Sequence, residues 1–449
     1  MGRATEPAAG FFEDGLEGRE QMKSIDFSII IPIYNASQFL QDCLDSVIKQ
    51  TCRNIEIICI DDASSDGSLE ILKQYSTQDQ RIRVIAKSVN EGTSKARKDG
   101  VCCSVGNHIL FLDADDRMME NACERLLEAY IEKPADIIQF DAYINACNGI
   151  DKNKVDEVKK YLCPCCEEVS IDKVQDLCFG IGSLSHSLWG KMFDGDICRK
   201  AFRYVSDEKM VMAEDLYAYF IITVFSQTYV GIPDKLYQYN YGTGITGETR
   251  SFYESFEHNS KQLLVASRCF EFIEAIEEKE KYASLVEGIR KYLLNTFIHF
   301  WIDNDKMMGE QDTELLQNIL SNNCSSKDLG YISVFLGIYC QNQELSMRNR
   351  GWVFPYDNVP KGSRIIIYGA GTVGRDYYSQ VSKTGYCKIA AWVDRAYDRL
   401  DCNENCIESP EIIKYTDYDY IVIAIKDISV RNVVKEYLLS IHVQENLIV

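Results

Sequence analysis

Residues 109–116 read Ile109-Leu110-Phe111-Leu112-Asp113-Ala114-Asp115-Asp116, four apolar residues and then three acids in four positions. Four apolar residues are too few for a helix. With polar flanks they read as a buried strand of an α/β sheet whose carboxylates emerge where the strand ends. In open α/β sheets ligands sit in the crevice beyond the carboxyl ends of the strands, so the acids are pointed at a binding site. Clustered carboxylates raise one another's proton affinity unless a cation lies among them, and hard oxygen ligands suit Mg²⁺ or Mn²⁺. The stretch is either a metal site gripping a phosphorylated substrate or a solvated acidic turn at a helix start.

Upstream, the same pattern repeats. Phe27 to Pro32 is an apolar strand stopped by proline, and Tyr34-Asn35-Ala36-Ser37 opens a helix to Gln50 with Ser37 as N-cap. Ile55 to Ile60 is a second strand ending on Asp61-Asp62-Ala63-Ser64-Ser65-Asp66-Gly67-Ser68, which leads into a helix over 69–75. Arg83-Val84-Ile85 is a third, followed by Asn90-Glu91-Gly92-Thr93-Ser94-Lys95-Ala96-Arg97 at the start of another helix. Alternating strands and helices make a parallel sheet with right-handed crossovers, so Tyr34, Asp62, Arg97 and the 113–116 acids converge on one sheet edge. An aromatic ring, a carboxylate, an arginine and a metal together suit a nucleotide diphosphate.

The four segments 28–35, 60–68, 90–97 and 111–116 resemble, in residues, order and spacing, the successive motifs of family 2 glycosyltransferases with the GT-A fold. Four linked motifs are far more specific than a lone Asp-x-Asp. The resemblance implies that Pro32, Tyr34, Asn35, Asp61 and Asp62 line the nucleotide site, that Arg97 faces the donor, and that Asp113, Asp115 and Asp116 hold Mn²⁺ or Mg²⁺ against the diphosphate. Two departures are visible: Ala63 stands where the family more often has Gly, and Lys98 where it more often has Asn, which points to an altered donor contact. Ser185 to Phe193 resembles the family's Trp-x-Lys segment and puts Trp189 and Lys191 on the acceptor side; the alternative is a packed aromatic at a strand start. Ala213-Glu214-Asp215 resembles the acidic pair in which the Asp is the inverting base, with Glu214 beside it; the alternative is helix-dipole complementation. Tyr237 to Thr246 resembles the loop that closes over the donor diphosphate, without the family's usual basic residue.

The chain of 449 residues predicts two or three domains. Residues 1–21 are Gly- and Glu-rich without period and read as a disordered leader, 22–250 as the GT-A domain, and 251–347 as a helical region. Residues 348–363 read as a Pro- and Gly-containing linker and 364–449 as a second α/β unit. Within the first, 145–175 reads as a variable loop or short hairpin. The aromatic stripe from Tyr292 to Trp301 is either core or contact with a membrane-borne acceptor.

The last unit opens on a strand and Gly369-Ala370-Gly371-Thr372-Val373-Gly374, in the order the dinucleotide fingerprint needs. Asp394 follows Gly374 by twenty positions, as a ribose-binding acid would, and Tyr420 to Ala424 and Leu447 to Val449 supply further strands. The unit resembles half-Rossmann modules of sugar-nucleotide and polysaccharide biosynthesis. It has the length of half a doubly wound fold and no Tyr-x-x-x-Lys relay. Nucleotide binding (NAD or a sugar nucleotide) and a packing scaffold both stay open.

A net charge of −20 opposes nucleic-acid partners. Eighteen scattered Cys and no signal-peptide pattern favour a reducing cytoplasm, at the inner membrane face if the acceptor is lipid-linked. Cys163-Pro164-Cys165-Cys166 with Cys147 or Cys178 is a weak zinc candidate, behind incidental thiols. The expectation is an α/β, cytoplasmic, metal-dependent inverting enzyme moving a sugar from a UDP-linked donor to a glycan or lipid-linked acceptor in surface-polysaccharide synthesis. Peripheral membrane contact and a homo-oligomer stay open as partners. The rivals are a catalytically silent sugar-nucleotide-binding regulator and an NAD-dependent oxidoreductase or epimerase.

Overall fold

The computed structural model describes residues 25–147, 149–166, 169–180, 182–243, 251–304, 319–320, 322–325, 328–332, 352–356, 358–399 and 407–449. The leader, residues 244–246 of the expected lid and much of 305–351 lie outside these.

Nine strands form one sheet: β1 (Phe27–Ile33), β2 (Ile55–Asp61), β3 (Ile82–Ala86), β4 (His108–Phe111), β5 (Arg117–Met118), β6 (Ile137–Ala146), β7 (Val169–Ser170), β8 (Lys191–Asp194) and β9 (Thr228–Tyr241). Their order is β3-β2-β1-β4-β8-β6-β9-β5, with β7 on β9. The first four are parallel, β8 runs antiparallel between β4 and β6, and β6 and β9 pair parallel. All seven residues of β1 are buried, as a strand covered on both faces requires. Its side chains alternate between two cores. Ile29, Ile31 and Ile33 pack with α1 (Ser37–Ile48), α2 (Ser68–Gln78) and α4 (Ala122–Glu132). Ile30 packs on the other side with α3 (Thr93–Cys103), with α7 (Gly195–Phe202) and with α8 (Glu214–Phe225). This is a GT-A-like sheet between two helical layers.

Between β6 and β7 the chain forms helix α5 (Lys152–Leu162), not the expected loop or hairpin, and α6 (Ile171–Gln175) then runs into a π-helical turn at Asp176–Gly180. The helix lays Val158, Tyr161 and Leu162, at i, i+3 and i+4, on the core, a pattern its six lysines and acids obscure.

The middle segment holds α9 (Phe252–Ser260), α10 (Gln262–Glu274) and α11 (Lys279–Asn304). Within its aromatic stripe Phe297 is buried, with its ring centroid 5.4 Å from Phe256 and 6.0 Å from Trp301, and Phe300 and Trp301 pack partly buried against that core, whereas Tyr292 is exposed. Described residues of the expected linker are packed as well. Val353, Phe354, Tyr356 and Val359 are buried, and Gln380 accepts from Phe354 N and donates to Trp352 O.

The last unit is a three-stranded parallel sheet in the order β11 (Lys388–Val393), β10 (Arg364–Tyr368), β12 (Tyr420–Ile423), with α12 (Thr372–Thr384) and α13 (Ile428–Ser440). The expected terminal strand is instead a 3₁₀ turn at Glu445–Leu447 with one bridge, Ile421 to Ile448. Among the described residues no helix is long and apolar enough to cross a membrane.

Candidate active site

The ends of β1 and β2 are clasped together. Ala36 N donates to Ser68 Oγ (3.0 Å), Ser37 N to Asp66 Oδ2 (2.9 Å) and Ser65 N to Asn35 Oδ1 (2.8 Å). Ser37 is thus not the N-cap of α1; Asp66, from the neighbouring loop, takes an end amide. Burial alone would raise the Asp66 carboxyl, but hydrogen bonds from Ser68 and Ser37 outweigh it and hold it at about 2. The clasp leaves Tyr34 53% exposed at the sheet edge while Pro32 is buried. Asn35 and Ala63 both have left-handed φ, 49° and 61°. Glycine meets no steric penalty at such a φ, which is a physical reason for glycine at position 63.

Asp62 differs from its expected role. It is 2% exposed and accepts from Glu91 N (3.0 Å) and Gly92 N (2.7 Å), with Lys87 Nζ 2.8 Å away. Its carboxylate fastens the loop leading into α3 rather than standing open to a base. Asp61 is 1% exposed, and its Oδ1 has no partner among the described residues. Lys98 points away from the donor side, donating to Val205 O (2.7 Å) and pairing with Asp207 (3.0 Å).

Loop 90–92 sets the start of α3, and α3 carries Arg97, 3% exposed. One guanidinium nitrogen donates to Asp113 Oδ1 (2.8 Å), the other to Asp215 Oδ1 (2.5 Å), and Glu214 Oε1 lies 3.8 Å away. Burial would depress the guanidinium, but Asp215, Asp113 and Glu214 together push its proton affinity up. Burial pushes up Asp113 against the pull of Arg97, and burial with the charge of Asp215 pushes up Glu214. Both acids of the pair open α8 directly after Ala213, which is held at φ 57°. Strained backbone of this kind recurs at functional sites.

The other carboxylates are held by β9. Tyr237 Oη donates to Asp116 Oδ2 (2.9 Å) and accepts from Asp113 N (3.2 Å), while Asn240 N donates to Asp116 Oδ1 (2.7 Å). Asp116 is 1% exposed, and burial plus the charges of Asp113 and Asp115 push it up to about 8. With both oxygens bonded inside the protein, Asp116 is not placed to ligate a cation. Thr243 Oγ1 donates to Asp115 Oδ2 (2.6 Å). The stretch Tyr237–Tyr241, expected in a mobile lid, is the end of β9 paired with Ala142–Ala146 of β6.

Among the described residues no group of three or more His, Cys, Asp or Glu is arranged to hold a metal, which also leaves the Cys147–Cys166 group without a zinc site. Asp113 and Asp115 nonetheless fit a divalent cation. Mg²⁺-type sites take one or two carboxylates and complete their shell with substrate phosphates and water.

Trp189 is stacked on Tyr237 and tilted against Tyr239, with both centroids 4.7 Å away. Lys191 is 1% exposed and donates to Ser187 O (2.7 Å), so it offers no ammonium to an acceptor. Tyr237, Asn240 and Thr243 do more here than a lid would. The alternation of Tyr237, Tyr239 and Tyr241 is the period-two signal that marks them as strand.

In the last unit, a Cβ on Gly369 would meet Ala424 O at 2.7 Å, and one on Gly374 would meet Gly369 O at 1.9 Å, whereas Gly371 faces open space. Asp394 Oδ2 accepts from Ala370 N (2.7 Å) and Oδ1 from Ala396 N (2.8 Å). Two of the three glycines are thus required by packing, and the acid is engaged within its own loops.

Residues 28–179 match the family model described as "Glycosyl transferase family 2" and residues 361–449 one described as "C2185-like, N-terminal". Over residues 28–179 the chain is thus similar to family 2 glycosyltransferases. Glycosyltransferase GlyG of Streptococcus pneumoniae is 39% identical over 116 residues, 26% of this chain and 38% of GlyG. Poly(ribitol-phosphate) beta-glucosyltransferase of Bacillus spizizenii is 41% identical over 113 residues, 24% of this chain and 18% of that one. The chain thus spans well under two thirds of these relatives. Residues 1–349 of S. aureus TarS, solved with UDP, align at 17% identity and TM-score 0.48 over 69% of this chain and 87% of that one.

Proposed function

We propose that the protein transfers a sugar from a nucleotide-diphosphate donor, UDP-linked, to a hydroxyl of a glycan or lipid-linked acceptor, with inversion, in surface-polysaccharide assembly. The observation that carries this reading is the Arg97 bridge, which joins the acid at the end of β4 to the acid pair of α8 in one site. A donor diphosphate beside Asp113 would leave its anomeric carbon within reach of Asp215.

In the reaction the acceptor oxygen forms the new bond to the anomeric carbon as the bond to the diphosphate oxygen breaks. The leaving nucleoside diphosphate keeps that electron pair, and Asp215 takes the acceptor proton. Arg97 holds one oxygen of Asp215 in place, and Glu214 lies beside it on the acceptor side. Tyr34 offers a face to the base. Asp113 and Asp115 would hold Mn²⁺ or Mg²⁺, whose charge neutralises the leaving diphosphate.

Relatives named for poly(ribitol-phosphate) glucosyl transfer, teichuronic acid biosynthesis and minor teichoic acid biosynthesis support the polymer class. The test is a panel of nucleotide sugars with Mn²⁺, scored for released nucleoside diphosphate and transferred sugar. Asp215→Asn abolishes transfer and leaves UDP binding intact. If UDP binding is lost instead, the base assignment is wrong.

A further inference from the structure

Lys191 is a buried cation with no carboxylate within ion-pair distance among the described residues, an arrangement that burial makes costly. Its Nζ lies 4.6 Å from the centroid of the Tyr219 ring and donates to the carbonyl of Ser187 (2.7 Å). The amide on the far side of that same peptide, Leu188 N, donates to Asp215 Oδ2 (3.3 Å). The peptide is trans, so its C=O and N–H point opposite ways, and one amide dipole stands between the ammonium and the carboxylate in the favourable sense. The other Asp215 oxygen is held by Arg97. Ser187 is itself fixed, with its N donating to Ser185 Oγ (3.1 Å) and its Oγ to Trp189 O (3.0 Å).

We infer that Lys191 is a positioning residue: acting through the Ser187–Leu188 peptide, its ammonium orients and polarises the hydrogen bond that fixes the proton-accepting carboxylate of Asp215. The inference rests on the glycosyl-transfer reading and assigns Lys191 a role without acceptor contact. Asp215 and Tyr219 face the ammonium from α8, Cys178 faces it from the π-helical turn, and His186 from its own loop. Burial pulls the amine down to about 8, against Cys178 and Asp215. Its charge is therefore lost within the range where transfer can be measured.

The test uses the full chain at saturating donor, with acceptor concentration and pH varied. Lys191→Met lowers kcat about 10- to 100-fold with acceptor KM and UDP affinity within about twofold, since the interaction lost is one with the base. In the wild type, kcat falls about tenfold per pH unit above pH 8, and Lys191→Arg moves that limb upward. A raised acceptor KM with unchanged kcat, or a wild-type kcat flat from pH 7 to about 9.5, overturns the inference; the wild-type profile decides should Lys191→Met fail to fold. An active wild type with an unaffected Lys191→Met overturns this inference alone, whereas a wild type that transfers no sugar overturns the transfer reading with it.

Discussion

Arg97 and Asp215 are 118 positions apart in the chain and 2.5 Å apart in the fold. Removing the guanidinium leaves Asp113, Glu214 and Asp215 facing one another in a buried site. Arg97→Met is expected to destabilise the protein by about 3–5 kcal/mol, as loss of one partner of a buried pair does. Arg97→Lys recovers part of the stability and little of the transfer, because an ammonium lacks the planar fork that serves two carboxylates. Urea melts and turnover on the same preparations check both.

Asp113 and Asp115 differ from Asp116 in what holds them, so their variants separate. Asp115→Asn removes Mn²⁺-dependent thermal stabilisation by UDP-sugar, and Asp113→Asn weakens it while also loosening Arg97. Asp116→Asn leaves the Mn²⁺ response in place and alters stability instead, since Asp116 spends both oxygens on Tyr237 and Asn240. A Mn²⁺ response lost only in Asp116→Asn would reverse the assignment.

His186 supplies a pH dependence that does not arise from a carboxylate. Burial, with the charge of Lys191, pulls it down to about 4, and its Nδ1 pairs with Tyr161 Oη at 2.7 Å. An unfolded histidine gains its proton near pH 6.5 and the folded one only near 4, so stability falls as pH drops through that window, by about 3 kcal/mol. His186→Gln flattens the curve of unfolding free energy between pH 6.5 and 4.

Ala63 holds φ 61°, a left-handed conformation that costs a side-chain-bearing residue about 1–2 kcal/mol. Ala63→Gly relieves this and loses part of the gain to the more flexible unfolded chain, for a net rise of up to about 1 kcal/mol. Ala63→Val lowers stability. Denaturant midpoints of the two variants, moving in opposite directions, are the check.

The strands β1, β2 and β4 and the acids at their ends were legible because a strand covered on both faces must be continuously apolar and must stop at a polar residue. Helix α5 was not, since a charged surface helix shows only three apolar anchors, and Tyr237 to Tyr241 was hidden by resemblance to a loop. The roles of Asp62 and Asp116 were also out of reach. Each is an acid in the right motif, but burial and two hydrogen-bond donors turn each inward: two backbone amides for Asp62, the Tyr237 hydroxyl and the Asn240 amide for Asp116.

By itself the sequence determined the α/β alternation, the sheet edge on which the motifs gather, and which residue types are offered there. Periodicity is a local property, and so is the change from apolar to acidic at a strand end. Only the tertiary structure decided which carboxylates face the site. That depends on donors delivered from distant segments: Gly92 for Asp62, Tyr237 for Asp116, Arg97 for both Asp113 and Asp215. Hydrogen bonds and burial act between neighbours in space, and no spacing along the chain records them.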